Sequence, residues 1–411
     1  MKVTGIIAEY NPFHNGHAYQ IKMAKEMTHA DYVVIVMSGD FTQRGEPAII
    51  DKYARTKMAL SSGADLVIEL PVVFSTGSAE YFAKGAVSLL NNLNTITHLC
   101  FGSECGDIKP LTSIATILSD EPEMYKSLLK ENLKSGLSFP EARTKALINL
   151  LSEITDIENL TKASNNILGI EYIKALLSFN SNIEPVTVKR EGNNYNDPNL
   201  SKTYSSALAI RKHIETGLNI SLLSEQLPQN TLTILHEEYQ KSYPILLNDL
   251  SSMLHYKLIM ERRKGFADYF DVNEESNDRI LNHMDMYTNA SDFTLTLKTK
   301  DKTYSGISRS LLHILLNIKK KDIETLCQNG YTQYARVLGF RNEAAPLLSH
   351  IAQESNIPLI VKPSDFINTD NNLLKCQLQY DLDASCLYRS VAANKFKTSY
   401  QNELRRPVLK L

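Results

Sequence analysis

Short apolar runs alternate, over the first hundred residues, with stretches in which apolar positions recur every three or four residues. The runs at 3 to 8, 31 to 37 (Asp-Tyr-Val-Val-Ile-Val-Met), 65 to 70 and 97 to 101 (Thr-His-Leu-Cys-Phe) predict strands, and the patterns near 17 to 29, 51 to 62 and 77 to 92 predict helices between them. Strands that are apolar on both faces belong in a parallel sheet covered by helices on each side. With right-handed crossovers this gives an α/β, Rossmann-like layered fold, in which ligands bind at the carboxyl ends of strands near a switch in strand order. Residues 108 to 180 read mostly as helices, with Pro122 and Pro140 near helix starts, followed by a short strand at 185 to 189. An Asn- and Gly-rich loop from Arg190 to Thr203 leads into a helix from about Ser205. Beyond 216 the pattern changes to long amphipathic helices, expected at 231 to 263, 274 to 285, 307 to 317 and 320 to 328. Near the end, Ala335 to Phe340, a helix at 342 to 355 and Ile357 to Val361 form a small strand-helix-strand unit near 335–361. We therefore divide the chain into 1–216, an α/β domain with a parallel sheet, and 217–411, a mainly α-helical C-terminal region.

Composition narrows the class of function only slightly. The 411 residues are 43% hydrophobic and 22% charged, ordinary for a globular protein, and the net charge of −2 offers no bulk attraction to a polyanion. Any nucleic acid must then be held by a local basic patch. Five cysteines form no C-x-x-C pair, and their odd number argues against a disulfide framework, so a cytoplasmic, reducing compartment is expected. Cys100 and Cys105 flank a strand end but lack a second ligand pair, and are read as packing residues. The amino terminus runs into the first strand without a signal-like segment, and no window approaches 18 uninterrupted apolar residues, which disfavours secretion and membrane insertion.

The chemistry concentrates in Gly5-Ile-Ile-Ala-Glu-Tyr-Asn-Pro-Phe-His-Asn-Gly-His17, where a strand gives way to a helix. A helix amino terminus favours an anion by roughly 0.3 to 1 kcal/mol, and its N–H groups point at the ligand. Gly16 lets a phosphate approach the backbone, and His14 and His17, three apart, can both aim a ring N–H at a triphosphate. Preorganised donors of this kind contribute roughly 3 kcal/mol each at sites of developing charge. Paired histidines beside a turn also occur as surface residues or metal ligands; placement between strand and helix favours nucleotide chemistry.

That segment resembles the H-x-G-H signature of the nucleotidylyltransferase superfamily. Glu-Tyr-Asn-Pro-Phe-His-Asn-Gly-His (9 to 17), Met-Ser-Gly-Asp-Phe-Thr-Gln-Arg-Gly-Glu-Pro-Ala (37 to 48), Ala-Asp-Leu-Val-Ile-Glu-Leu-Pro (64 to 71) and Asn-Asn-Ile-Leu-Gly-Ile-Glu-Tyr (165 to 172) together resemble the bacterial tRNA(Met) cytidine acetate ligase family, along essentially the whole chain. The resemblance implies that the first domain is a nucleotidylyltransferase domain and the second binds tRNA. It implies an enzyme that adenylates acetate with ATP and transfers the acetyl group to N4 of the wobble cytidine of elongator tRNA(Met), with no DNA or membrane partner. It assigns His14 and His17 to catalysis. Ile7, Ala8, Glu9, Tyr10, Asn11, Pro12, Phe13, His14, Asn15, Gly16, His17, Ala18, Tyr19 and Gln20 are then expected around ATP, with Gly102, Asn165, Arg190, Ser206 and Arg211.

Several of these positions also have plainer readings. Gly102 follows an apolar strand, where a missing side chain would admit adenine or ribose, or simply make a turn. Asn165 fits either a nucleotide contact or a helix N-cap, and Arg190 either a phosphate or solvent. Ser205-Ser206-Ala-Leu-Ala-Ile-Arg211 resembles the second superfamily signature, Ile-Ser-Ser-Thr-x-Ile-Arg, but Ala207 and Leu208 replace the second serine and the threonine, so two hydroxyl contacts are absent. Gln43-Arg44-Gly45-Glu46 would border the acetate pocket, the RNA path or only a surface turn. Asp40, Glu46 and Asp51 lack the spacing of a metal cluster, and Mg²⁺ is expected as the ATP chelate, with no metal site of the protein's own. In the second half Arg262, Arg263, Lys264, Arg309, Lys319, Lys320, Lys321, Arg336, Arg341, Arg405 and Arg406 are candidate phosphate contacts, with Tyr331 and Tyr334 for stacking on a base. A free-metabolite adenylyltransferase and a non-catalytic, ATP-responsive RNA-binding protein are the alternatives.

Overall fold

The computed structural model describes residues 1–190, 205–217 and 219–411; most of the expected Asn- and Gly-rich loop lies outside the described residues. The first half alternates strand and helix: β1 (Val3–Ala8), α1 (Asn15–Thr28), β2 (Tyr32–Ser38), α2 (Lys52–Leu60), β3 (Leu66–Leu70), α3 (Ala79–Asn92) and β4 (His98–Ser103). Four helices between Ile108 and Lys162 lead to α4 (Ser164–Ser178), β5 (Glu184–Lys189) and α5 (Ala207–Glu215). Helices then dominate, among them α6 (Tyr304–Leu315), before β6 (Ala335–Phe340), α7 (Ala345–Glu354), β7 (Leu359–Ile360), α8 (Asn372–Phe396) and β8 (Leu409–Lys410).

Among the described residues the strands form one sheet in the order β5-β4-β1-β2-β3-β6-β7, with β8 beside β6. β1 lies parallel between β2 and β4, so the winding reverses at its edge and a crevice opens at its carboxyl end. Alternation along β2 shows why its sequence is continuously apolar. Val34 and Val36 face one buried cluster, shared with α3 and α4, whereas Val33, Ile35 and Met37 face another, shared with α1, α2 and α5.

The strand-helix-strand unit near 335–361 extends this same sheet. β6 pairs antiparallel with β3, Leu66 opposite Phe340, and the register shifts between Val67 and Ile68. Both the sheet and the largest apolar cluster therefore run across position 216. The helix expected over 231 to 263 is two helices, Gln229–Glu238 and Ser251–Glu261. Pro244 lies between them, lacking an N–H and restricting its predecessor Tyr243, which bridges back to Tyr239.

A buried ion network joins the two halves. Lys52 of α2 has Nζ 2.7 Å from Glu69 of β3 and 2.9 Å from Glu403, and donates to Ser385 of α8. Arg336 of β6 contacts Glu69 at 3.0 Å and Glu403 at 2.5 Å, while Arg389 of α8 reaches Glu403 at 3.0 Å. Burial opposes ionisation of Glu403, but Lys52, Arg336 and Arg389 outweigh it and hold its carboxyl well below the usual carboxylate range. This network corrects two candidate RNA contacts. Arg336 is 1% exposed, and Tyr334 is fully buried with its hydroxyl on Asp381, so neither reaches a nucleic acid. Tyr331 packs against Phe74 and Phe179, and Arg309 pairs with Asp271 at 3.3 Å. Arg262, Arg263, Lys264, Lys320, Lys321 and Arg405 are exposed.

Because a buried charge that loses its partner is costly, Glu403→Ala should destabilise the protein by about 3–5 kcal/mol, read as a lower urea midpoint. An unchanged midpoint would show that the network does not tie the C-terminal segment to the sheet.

Candidate active site

β1 ends at Ala8, and the turn to α1 carries Tyr10 with φ +49°, a left-handed conformation for a bulky residue. The turn is held from several directions. Asn11 Oδ1 accepts the Ile49 N–H at 2.8 Å, and Arg211 of α5 donates to the Asn11 carbonyl at 2.7 Å. Glu9 accepts the Gln43 N–H at 2.8 Å. Asn15, first in α1, donates its N–H to the Gln226 carbonyl at 3.0 Å and its amide to Glu225 at 2.9 Å, so that residue braces the helix end.

The two imidazoles meet face to face at the mouth of α1. Their ring centroids are 3.6 Å apart with planes inclined by 19°. Tyr10 and Phe13 pack on the His17 ring at 4.8 and 5.5 Å, completing an aromatic collar. His17 Nδ1 accepts the His14 backbone N–H at 3.2 Å, which leaves Nε2 of the neutral ring to carry the proton. Among the described residues His14 Nδ1 is buried without a hydrogen-bond partner, an uncommon state for a buried polar atom.

Both rings are neutral at pH 7. Burial, then the charges of Arg190 and Arg211, lower the His14 pKa to about 3. Burial, with His14 and Arg190, holds His17 well below its ordinary value. Neutral rings can offer N–H donors but no cationic charge, and the positive charge around them comes from the arginines.

Two adjoining cavities share His17, Gln20, Gly102 and Arg190. The outer one, about 110 Å³, is lined also by Ile7, Ala8, Glu9, Tyr10, Asn11, Asn165 and Arg211. His14, Gly16, Tyr19, Lys189 and Ser205 line the inner one. Arg190 lies across Gly102, where an added Cβ would sit 3.3 Å from its Cγ, so the glycine makes room for the arginine. Asn165 is the second residue of α4, not its cap, and its amide donates to Glu104 at 2.7 Å. Ser206 caps α5, accepting the Ala209 N–H at 3.1 Å. Ala207 and Leu208, the departures from the second signature, line the outer cavity. Phe13 is buried, and Pro12, Phe13, Asn15, Ala18 and Ser206 line neither cavity.

Sequence reasoning did not find Phe82, Phe101, Leu168 and Tyr172, the apolar wall of the outer cavity, or Glu104, which binds the first N–H groups of α4 and fixes Asn165. The aromatic wall reads as ordinary core in any periodic pattern. Asp40 and Asp51 serve α2 instead of a metal: Asp40 accepts the Lys52 N–H at 3.0 Å and Asp51 that of Ala54 at 2.8 Å.

A model of the HIGH Nucleotidyl Transferase family matches residues 1–403. The tRNA(Met) cytidine acetate ligase of Acetivibrio thermocellus is 45% identical over 395 residues, 94% of each chain. That of Clostridium novyi is 40% identical over 400 residues, 97% of this chain and 99% of the relative. The crystal structure of Thermotoga maritima TmcAL bound with alpha-thio ATP superimposes with a TM-score of 0.90 at 34% identity, and its apo form with 0.92, each over the whole of both chains.

Unfolding returns His14 to its ordinary pKa of 6.5, so between there and about 3 the unfolded chain binds more protons than the folded one. This contribution to stability is complete above pH 6.5 and is lost as the pH falls. Thermal melts at pH 7.5 and 5 should show a larger acid-induced drop in Tm for the natural protein than for His14→Gln. Equal drops would mean that His14 is not held neutral in the fold.

Proposed function

The chain belongs to the tRNA(Met) cytidine acetate ligase family of HIGH nucleotidyl transferases, and from that premise we propose that it joins acetate to N4 of the wobble cytidine of elongator tRNA(Met) at the expense of ATP. The observation that carries the reading is the neutral, stacked His14–His17 pair beyond the end of β1, at the amino terminus of α1 and beside Arg190 and Arg211. That arrangement suits a polyphosphate: ring N–H groups and guanidinium forks offer donors in fixed positions, without a reorganisation cost at the moment of reaction. The ATP analogue held by the Thermotoga protein supports it.

Acetate's carboxylate oxygen attacks the α-phosphorus in line, the bond to the β-phosphate oxygen breaks, and pyrophosphate leaves with the electron pair. Arg190 and Arg211 bind the phosphates, and His14 and His17 donate to oxygens on which charge accumulates. Mg²⁺, expected to arrive chelated to ATP, would supply further charge neutralisation at the phosphates. The mixed anhydride rests against Phe82, Phe101, Leu168 and Tyr172, which limit water, until the cytidine amino nitrogen attacks its carbonyl carbon and AMP departs. The exposed basic run at Arg262 to Lys264 and the charges at Lys320, Lys321 and Arg405 are the candidate phosphate contacts for tRNA that remain open to solvent. No helix among the described residues is long and apolar enough to cross a membrane. We place the reaction in the cytoplasm, where its tRNA is.

Incubation of tRNA with the protein, ATP and isotope-labelled acetate should yield labelled N4-acetylcytidine by mass spectrometry of the nucleosides; unlabelled cytidine throughout would refute the reading. His17→Ala should slow acetate-dependent pyrophosphate release by about 10²–10³-fold while leaving the circular dichroism spectrum unchanged. Release at the natural rate would remove His17 from the chemistry.

A further inference from the structure

We propose that Arg44 receives the carboxylate of the acyl donor, and that the seat of Gly45 on α6 holds it in place for that task. The inference rests on the adenylating function proposed above and concerns which residue reads the donor.

An anion must be brought to a polyanion, so the donor needs a cation of its own. Arg190, Arg211 and Arg44 all line the outer cavity, but the fold places them differently. Arg190 follows β5, crosses Gly102 and also lines the inner cavity beside His14 and Gly16. Arg211 is tied to the Asn11 carbonyl in the turn itself. Arg44 follows β2, on the other side of the central β1, and does not line the inner cavity. In-line displacement puts the nucleophile and the leaving group on opposite sides of phosphorus. With the phosphates drawn toward Arg190 and the histidines, the β2 side is left for the attacking carboxylate, and a guanidinium fork there matches both of its oxygens. Burial raises the carboxyl of Glu46 above the usual carboxylate range, against the opposing charges of Arg211 and Arg44 beside it.

The loop that carries Arg44 is built for fixed position. Its ends meet in the Phe41–Pro47 bridge, Thr42 and Glu46 pair across it at 3.0 Å, and Glu9 accepts the neighbouring Gln43 N–H. Gly45 has φ +76°, and a Cβ there would meet the Arg309 nitrogen of α6 at 2.4 Å. Ser308 of α6 donates to the Gly45 carbonyl at 2.8 Å. The tip of the loop is thus seated on backbone of the helical half, one residue from Arg44. Gly45 and Ser308 are positioning residues, because they act only through the loop.

The test is acetate-dependent exchange of labelled pyrophosphate into ATP, without RNA, together with the Kd of a non-hydrolysable ATP analogue. For Arg44→Ala the KM for acetate should rise ~10- to 100-fold, as expected for a lost charged hydrogen bond, with Kd for the analogue within about twofold of the natural value. Arg44→Lys should recover part of the loss. Ser308→Ala should raise the acetate KM in the same direction by a smaller factor with kcat little changed, and Ser308→Thr should restore it. An unchanged acetate KM in Arg44→Ala would overturn the proposal. So would weakened analogue binding, which makes Arg44 a phosphate residue, or a rise in the KM for tRNA alone, which makes the loop part of the RNA path. Failure of the proposed function is distinct: the natural protein itself would then show no acetate-dependent exchange.

Discussion

A guanidinium buried where β1 and β2 end is the constraint on which the site depends. Arg55 of α2 is fully buried, and its three nitrogens donate to four carbonyl oxygens: Ile50 at 3.0 Å, Glu9 at 2.6 Å, Ser38 at 2.9 Å, and Gly39. A buried charge is tolerated only when its hydrogen bonds are made, and here each guanidinium nitrogen has a backbone carbonyl partner. Glu9 opens the turn that carries the histidines, and Ser38 and Gly39 open the loop that carries Arg44. One side chain therefore sets the spacing between the two loops that border the outer cavity.

The helical half contributes to the site by support rather than by lining it. Its strand β6 extends the sheet from β3, its helix α8 supplies Ser385 and Arg389 to the ion network, and α6 seats the Gly45 loop. Glu403, close to the end of the chain, answers Lys52 at the start of α2, the helix that bears Arg55. A network of buried, paired charges thus ties the C-terminal segment to the helix that bears Arg55. Removing Glu403 leaves cations without that partner, and removing Lys52 leaves carboxylates without theirs, in a region from which water is excluded.

The sequence made much of this legible, for identifiable reasons. Doubly buried strands leave unbroken apolar runs, so β1 to β4 and the position of the histidine turn follow from pattern alone, and the signatures along the chain named the family. What could not be read among the polar residues shares one cause. The buried face of α8 carries Gln377, Asp381, Ser385 and Arg389, polar residues four apart that mask its periodicity, and the helix was not expected. Arg55 sits in Lys-Tyr-Ala-Arg-Thr-Lys, where an arginine suggests a solvent face. Arg336 and Tyr334 read as RNA contacts in the sequence because charge and aromaticity mark surfaces unless the partners that bury them, Glu69, Glu403 and Asp381, are known. Long-range pairing of polar groups leaves no local trace.

The central claim is that His14 and His17 meet a bound triphosphate as neutral donors. Nitrogen-15 NMR of histidine-labelled protein at pH 7, with and without a non-hydrolysable ATP analogue, observes this directly. The account predicts a neutral His17 ring protonated on Nε2, and a shift of that nitrogen and of His14 Nδ1 when the nucleotide binds. Doubly protonated rings in the free protein, or ring nitrogens that do not respond to bound nucleotide, would contradict it.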